Sequence, residues 1–194
     1  MQSLRLIRGG TVPTDEEIKQ MAQTDRRSAS DWIVRKYREP LFHHAAYILK
    51  DYQEAIDVAQ EVFIKSMREP RFFDEEFKMK AWLYRVTSNL CFNLVRDRRR
   101  RSAILDTFPI KKSTDPGQIE LVFHTERQSE VLNAMDQLTE NHKKILMLRY
   151  YNDLSYSEIS DALEIKLGTV MSRLSRAKRQ LMEVMGELGV SSAT

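Results

Sequence analysis

Cysteine is almost absent from this chain of 194 residues, which contains only Cys91. A single cysteine excludes an internal disulfide and any metal site built from several cysteines, and it suits a reducing cytoplasm. Glycine and proline are also scarce, with 6 and 5 residues. Their scarcity argues against a disordered or all-β chain. We interpret Cys91 as a thiol in the core.

Long apolar runs and secretion signals are missing as well. The segment after Met1 is short, mixed in character and interrupted by Arg5 and Arg8, unlike a signal peptide. His43 and His44 are adjacent, so on a helix they point about 100° apart and do not form the i, i+4 pair that metal sites on helices favour. We therefore predict no membrane span, no metal site and no cofactor.

What the chain does contain is helical character and unevenly placed positive charge. Apolar residues make up 42% and charged residues 30%, a mixture typical of compact all-α domains. The net charge is only +3, but the segment 85–101 holds six arginines against one acid, and 166–179 holds five basic residues and no acid. Two separated basic surfaces indicate two places that hold a polyanion.

The order of helix and turn signals predicts two small helical domains. Residues 1–13 form a mobile leader, 14–101 a first domain, 102–125 a flexible linker punctuated by Pro109 and Pro116, and 126–187 a second domain. Within the first domain we expect a helix capped by Thr14, a helix from Ser28 to Arg38, a further helical segment opened by Pro40, and one from Tyr52 to Arg68. The second domain starts with helices near 126–138 and 140–151.

The helix from Tyr52 to Arg68 has two distinct faces. Its inward residues are Ala55, Val58, Ala59, Val62 and Ser66, and its outward residues are Asp57, Gln60, Glu61, Ile64 and Arg68. An exposed isoleucine among acids and an amide is either a harmless surface residue or the centre of a small docking patch for a partner helix.

The segment from Lys78 to Arg101 predicts an amphipathic helix that faces a nucleic acid. Its core stripe is Met79, Trp82, Leu83, Val86, Leu90 and Leu94, and a second row carries Arg85, Asn89, Phe92 and Arg96. Guanidinium groups suit phosphate, amides suit base edges, and an exposed aromatic ring suits an unstacked base. The alternative is a solvated helix face with a basic end. Three phenylalanines, Phe72, Phe73 and Phe77, precede the helix; we expect some of them in the core and one beside a pocket.

The segment 154–185 has the pattern of a helix-turn-helix. Ser155 and Glu158 form a capping box, and residues 164–166 form the turn. The next helix has a buried stripe of Leu167, Val170, Leu174, Ala177 and Leu181. Its outer side shows Gly168, Thr169, Ser172, Arg173, Ser175, Arg176 and Arg179. Small hydroxyl residues followed by arginines suit a helix in the DNA major groove.

These motifs together resemble those of the bacterial RNA polymerase sigma factors of the extracytoplasmic-function (ECF) type. The resemblance spans residues 15–185 and is carried by 57–63 (DVAQEVF), 81–86 (AWLYRV), Asn89-Leu90, 154–159 (LSYSEI) and 168–170 (GTV). Each motif alone is weak, but their order and spacing are specific. The resemblance implies a sigma-two-like and a sigma-four-like domain, and a transcription initiation factor that performs no chemistry itself.

The same resemblance implies where each partner binds. The face formed by Asp57, Gln60, Glu61 and Ile64 is implied to dock on the β′ clamp helices of core RNA polymerase, with a second contact to the β flap. The residues implied to recognise and melt the minus-ten promoter element are Phe77, Lys80, Arg85, Asn89, Phe92, Asn93 and Arg96. The reader of the minus-thirty-five element is implied to be Thr169, Ser172, Arg173, Ser175, Arg176 and Arg179. An anti-sigma factor is a further candidate partner.

The chain departs from the family pattern at four positions. Ile56 stands where relatives usually carry an acid, which bears on core binding. Glu164 and Lys166 replace a common glycine and proline in the turn, and Met171 stands where a basic residue is frequent. These bear on the promoter sequence that is recognised.

Two other functional classes explain less of the sequence. A helix-turn-helix repressor or activator accounts for the second domain. It assigns no function to the face that contains Gln60 or to the row that contains Arg85. A nucleic-acid-processing enzyme needs clustered acids, ligand-spaced His or Cys, or a glycine-rich phosphate loop, and the sequence shows none of these patterns.

Overall fold

A computed structural model describes residues 12–104, 131 and 133–187, and every regular element in these ranges is helical. The predicted all-α class is therefore confirmed. The predicted leader lies almost entirely outside the described residues, as do most of the predicted linker and residues 126–130 and 132 of the helix predicted near 126–138. Residues 133–136 are helical.

A capping box starts the first helix, and an acid of that helix joins it to the second. Helix α1 (Asp15–Ala22) has the predicted box between Thr14 and Glu17. Asp15 accepts hydrogen bonds at 2.8 Å from the Lys36 ammonium and from the Tyr37 hydroxyl of helix α2 (Arg26–Leu49). Burial and the neighbouring Asp15 carboxylate raise the pKa of Tyr37 far above its usual value, so the phenol stays a donor.

Helix α2 is continuous through Pro40, so the predicted division into a helix from Ser28 to Arg38 and a later segment was wrong. Proline removes one N–H donor and crowds the carbonyl four residues earlier. Burial of apolar side chains on both sides of Pro40, Ile33 and Tyr37 before it and Leu41 and Ala45 after it, outweighs this local cost. The helix ends at Lys50 in the left-handed conformation, with φ of 51°.

Helix α3 (Tyr52–Arg68) has the predicted bounds and is capped by Asp51. It packs with α2 and with helix α4 (Met79–Ile104) around the core of the first domain. The connection between α3 and α4 buries Phe72, which contacts the rings of Phe73, Phe77 and Trp82. The expectation that some of these phenylalanines enter the core is confirmed.

Helix α4 is covered on two sides, which the single predicted stripe did not anticipate. Of that stripe, Met79 and Leu83 are fully buried, whereas Trp82, Val86, Leu90 and Leu94 are only partly buried. The other fully enclosed side chains of its middle are Tyr84, Thr87, Ser88, Cys91 and Phe92. Helices α2 and α3 cover one side, and the second domain covers part of another. Cys91 is buried as predicted.

The second domain is built from four described elements. They are helix α5 (Glu140–Leu146), a π-helical turn (Met147–Tyr151), helix α6 (Tyr156–Leu163) and helix α7 (Leu167–Glu187). The capping box of Ser155 and Glu158 is present, and α7 buries Val170, Leu174 and Ala177 as predicted. Leu167, the first residue of α7, is 49% exposed, so its assignment to the buried stripe was wrong; the stripe begins at Val170.

Candidate protein-docking and nucleic-acid interfaces

The outer face of α3 presents the residues predicted to dock a partner. All four are exposed: Asp57, Gln60, Glu61 and Ile64. The residues predicted to face inward are all buried on the opposite side: Ala55, Val58, Ala59, Val62 and Ser66. An i, i+4 ion pair joins Lys65 Nζ to Glu61 Oε1 at 3.2 Å and fixes the direction of that acid. The face combines an apolar centre with polar groups that can set register.

A groove of about 570 Å³ lies beside this face, between α2 and α3. Its apolar lining includes Val34, Phe42 and Phe63, and Ile56 and Gln60 also line it. Ile56 therefore lies in a largely apolar groove that continues from the face that contains Gln60. Sequence reasoning missed this groove, because its lining comes from two helices whose packing is not visible in either one alone.

Three of the α4 residues proposed to contact nucleic acid, two amides and one guanidinium, are exposed. Asn89, Asn93 and Arg96 are exposed as predicted, and Arg96 donates a hydrogen bond to the Asn93 amide oxygen. Phe77 is half-buried near the start of the helix and lines a cavity of about 490 Å³ together with Trp82 and Arg85. These groups present donors and an aromatic edge of the kind that unpaired bases and phosphates accept.

Three residues of the predicted nucleic-acid row are engaged by the second domain. Lys80 forms an ion pair with Glu158 at 2.9 Å, and Arg85 pairs with Glu164. Phe92 is 7% exposed, and the Lys144 ammonium of α5 lies 4.5 Å from the centre of its ring. The prediction of an exposed Phe92 was therefore wrong, because a long-range contact covers this ring.

The helix-turn-helix has tight local geometry. Glu164 ends α6 in the left-handed conformation, with φ of 53°, and Ser160 Oγ donates to the Ile165 carbonyl oxygen at 2.6 Å across the turn. Partial burial alone would raise the pKa of Glu158. Hydrogen bonds from the Ser155 backbone N–H and the Lys80 ammonium outweigh that burial and lower it, so the carboxylate stays charged.

Most of the residues predicted to contact DNA on the outer side of α7 are exposed to solvent. Ser172, Ser175, Arg176 and Arg179 are exposed, whereas Thr169 and Arg173 are half-buried. Arg176 Nε donates to the Ser172 carbonyl oxygen at 3.2 Å, and this bond holds the guanidinium along the helix surface. Short side chains at the start of α7, followed by arginines, allow the helix to approach a phosphate backbone closely.

Comparison with protein families gives two matches along the chain. Residues 33–101 match sigma-70 region 2, and residues 128–181 match sigma-70 region 4. The chain belongs to the sigma-70 family. The region 2 match contains α3 and nearly all of α4, and the region 4 match contains α5, α6 and most of α7. Every candidate interface described above lies within one of the two regions.

Relatives place this sigma-70 protein in the ECF type. It is 29% identical to the RNA polymerase sigma-H factor of Pseudomonas aeruginosa, with 92% of this chain and 97% of the relative aligned. It is 27% identical to the ECF sigma factor SigW of Bacillus subtilis, with 89% and 97% aligned. The ECF sigma-E factor of Escherichia coli K12 is also 27% identical, with 87% and 92% aligned.

Two solved structures share the fold of this sigma-70 protein. The sigma factor RpoE of Bartonella quintana, solved in complex with the anti-sigma factor NepR, matches with a TM-score of 0.59 at 22% identity, over 76% of this chain and 91% of that one. CnrH, solved in complex with the cytosolic domain of CnrY, matches with a TM-score of 0.65 at 18% identity, over 89% and 97%.

The described part of the sigma-70 chain shows neither a spanning helix nor a metal cluster. No helix in 12–104 and 133–187 is long and apolar enough to cross a membrane. In the same ranges, His, Cys, Asp and Glu side chains do not gather into a group of three or more that could hold a metal ion.

Proposed function

We propose that this protein is a transcription initiation factor that binds core RNA polymerase and directs it to specific promoters. The observation that carries the proposal is the presence of sigma-70 regions 2 and 4 in one chain, each with its own exposed face. A factor of this kind needs no catalytic residue, because the polymerase forms the phosphodiester bonds. It acts in the cytoplasm, where the polymerase and the chromosome are found.

The test is transcription with purified core polymerase. Core alone and core with this protein are given the same pool of genomic fragments, and the 5′ ends of the transcripts are sequenced. We expect discrete start sites that require the protein and share two upstream elements. Random initiation that the protein leaves unchanged would refute the proposal, and binding of duplex DNA by the protein alone with repression of a neighbouring gene would favour a repressor.

The outer face of α3 is the proposed polymerase-docking face. Asp57, Gln60 and Glu61 are exposed around Ile64, and the apolar groove between α2 and α3 continues from it. We assign this face to the β′ clamp helices, since an apolar side chain ringed by polar groups suits a helical partner. A second contact, to the β flap, belongs to the second domain.

Helix α4 and the segment before it form the proposed minus-ten interface. Asn89, Asn93 and Arg96 are open to solvent in the free chain. The other proposed members are Phe77, Lys80, Arg85 and Phe92, of which Phe92 is enclosed by the second domain. The outer side of α7 is the proposed minus-thirty-five reader, with Thr169, Ser172, Arg173, Ser175, Arg176 and Arg179.

An anti-sigma factor is the proposed regulatory partner. The fold is shared with an RpoE that was solved with the anti-sigma factor NepR. Purification of this protein from its native cells, followed by mass spectrometry of what accompanies it, tests for both core polymerase and such an inhibitor.

A further inference from the structure

One side of α7 presents a short stripe in which the single large side chain is apolar. Gly168, Met171, Ser172 and Ser175 follow the i, i+3, i+4, i+7 spacing that places residues on one face of a helix, and all four are exposed. Met171 is 54% exposed, although its neighbour in sequence, Val170, is fully buried. The side chain of Met171 therefore points to solvent in the free chain and lies outside the core.

Gly168 has no structural reason to be glycine within the described part of the chain. It lies inside a helix, where glycine is less stable than alanine. A Cβ atom added at this position would have no heavy atom within 4 Å among the described residues, the helix itself apart. Glycine removes a side chain where the backbone of another molecule approaches closely. Gly168 thus opens the stripe to a close approach beside Met171, one turn further along.

The stripe lies at the end of α7 that meets base pairs in a helix-turn-helix complex. In such complexes the N-terminal residues of the second helix contact base edges in the major groove. Gly168 and Met171 belong to the first two turns of α7, which begins at Leu167. Under the proposed function, Gly168 and Met171 therefore face base edges.

The polar groups beside Met171 are engaged within the helix. Ser172 Oγ donates a hydrogen bond to the Thr169 carbonyl oxygen at 3.2 Å, and Arg176 Nε donates to the Ser172 carbonyl oxygen at 3.2 Å. Met171, in contrast, carries a thioether, which donates no hydrogen bond and accepts only weakly. Its side chain suits an apolar group on DNA, and neither a phosphate nor a base carbonyl.

Thymine is the one base that presents an apolar group, its C5 methyl, in the major groove. We infer that Met171 is a specificity-determining residue that packs on the C5 methyl group of a thymine in the upstream promoter element, with Gly168 allowing the approach. The inference rests on the proposed function and adds to it the base that this part of α7 selects. A basic side chain at this position would instead favour a phosphate or a guanine.

Selection of duplexes, followed by removal of single methyl groups, tests the contact. Core polymerase with this protein selects duplexes from a library that is randomised upstream of a fixed minus-ten region. Each thymine of the enriched upstream element is then replaced in turn by deoxyuridine, which removes only the methyl group. We expect one such replacement to weaken holoenzyme binding about 4-fold, the effect of withdrawing one methyl group from an apolar contact. Mobility shifts with labelled duplexes measure the affinities.

Three variants assign the effect to Met171. Met171→Ala should bind the thymine and deoxyuridine duplexes equally well, because it lacks the partner of the methyl group. Met171→Leu keeps an apolar side chain of similar volume and should retain the discrimination. Met182→Ala is the matched control, since Met182 is 51% exposed on the same helix, about 16 Å further along. This control should discriminate between the two duplexes as the wild type does.

Gly168→Ala tests the close approach. The added methyl group meets open space in the free chain, so the unfolding temperature should stay equal or rise. Binding of the holoenzyme to the enriched duplex should nevertheless weaken several-fold, because the methyl group occupies space that the DNA needs. Unchanged binding by this variant would contradict the close approach.

The outcomes separate this inference from the proposed function. An enriched element whose thymines all tolerate deoxyuridine overturns the inference and leaves promoter recognition intact. Discrimination that persists unchanged in Met171→Ala does the same. If the holoenzyme enriches no duplex at all, the proposed function fails, and the inference fails with it.

Discussion

His44 shows how the surroundings of one buried group set its ionisation. Burial lowers the pKa of its imidazole to about 4, and the hydrogen bond to Asn152 opposes this only weakly. The groups in contact, Asn152, Ser88 and the edge of the Tyr84 ring, carry no charge at neutral pH. A neutral ring fits both hydrogen bonds, since Nδ1 donates to the amide oxygen and Nε2 accepts from the hydroxyl.

This pKa makes the first domain sensitive to acid in a predictable direction. The unfolded chain binds a proton at His44 below about pH 6.5, but the folded chain does so only near pH 4, so stability falls between these values. When the pH is lowered from about 7 to about 5, protonation of His44 in the unfolded chain should decrease the free energy of unfolding by about 2 kcal/mol. Urea unfolding followed by the fluorescence of Trp32 and Trp82, both in the first domain, measures it. The His44→Gln variant should lose correspondingly less stability over the same pH range. An identical loss in the variant would show that His44 does not cause the acid sensitivity.

Arg176 allows a second prediction at the scale of one residue. It is exposed on the outer side of α7, where a guanidinium contact to a base or phosphate is worth about 1–3 kcal/mol. Arg176→Ala should therefore weaken holoenzyme binding to a duplex that carries the upstream element by about 5- to 150-fold. Lys178→Ala, at an exposed neighbour outside the proposed set, is the control. Electrophoretic mobility shifts at moderate salt make the comparison, and equal affinity of the two variants would exclude this role of Arg176.

The two faces of helix α3 were predictable from its sequence, whereas those of α4 were predictable only in part, for a physical reason. In α3 the buried and exposed residues separate cleanly, because one face meets the core and the other meets solvent. Helix α4 lies between two partners, and the burial of Phe92 comes from Lys144, more than fifty residues away in sequence. The spacing of apolar residues shows which side of a helix can face a core. It does not show which distant domain covers the other side. The apolar groove beside α3 was missed for the same reason.

The acid content of α3 should control binding to core polymerase. Glu61→Lys reverses an exposed charge on the docking face and should weaken binding, while duplex binding by the second domain stays intact. Ile56→Glu adds an acid beside Asp57 and Gln60 and should strengthen binding by about 0.5–1 kcal/mol, as expected for a charge at the rim of an interface. Titration of labelled core polymerase with the three proteins, wild type included, measures both effects. Equal affinities of the three proteins would show that this face does not dock on core polymerase.

The exposed amides of α4 should matter for promoter melting. Asn89 is open to solvent, so Asn89→Ala costs little stability, but it removes a group that can bind an unpaired base. We expect impaired initiation on duplex promoters and little loss on templates that are already mismatched across the melted region. Abortive transcription on the two template types separates the effects. Loss of equal size on both would instead indicate a structural role for Asn89.

At the scale of the whole molecule, the contact between the two domains, a closed state that includes the Lys80–Glu158 and Arg85–Glu164 ion pairs, should be linked to polymerase binding. If core holds the two domains at separate places, it binds only the open chain tightly, and the closed state lowers the apparent affinity by the fraction of chain that is open. Loss of the two ion pairs in Glu158→Gln/Glu164→Asn shifts that fraction by roughly 4- to 25-fold. Core binding should then tighten by a similar factor, since the opening equilibrium limits it.

The kinetics of core binding should show where this gain arises. The docking face of α3 is exposed in the closed chain, so core can meet wild type and Glu158→Gln/Glu164→Asn equally well. Their association rate constants should therefore agree, and the gain in affinity should lie in slower dissociation, because opening after docking is less costly in the variant. Stopped-flow fluorescence with labelled core measures both constants, with Glu183→Gln, at an exposed acid of α7, as the control. If the variant associates faster and dissociates at the wild-type rate, core selects chains that are already open, and docking before opening is wrong.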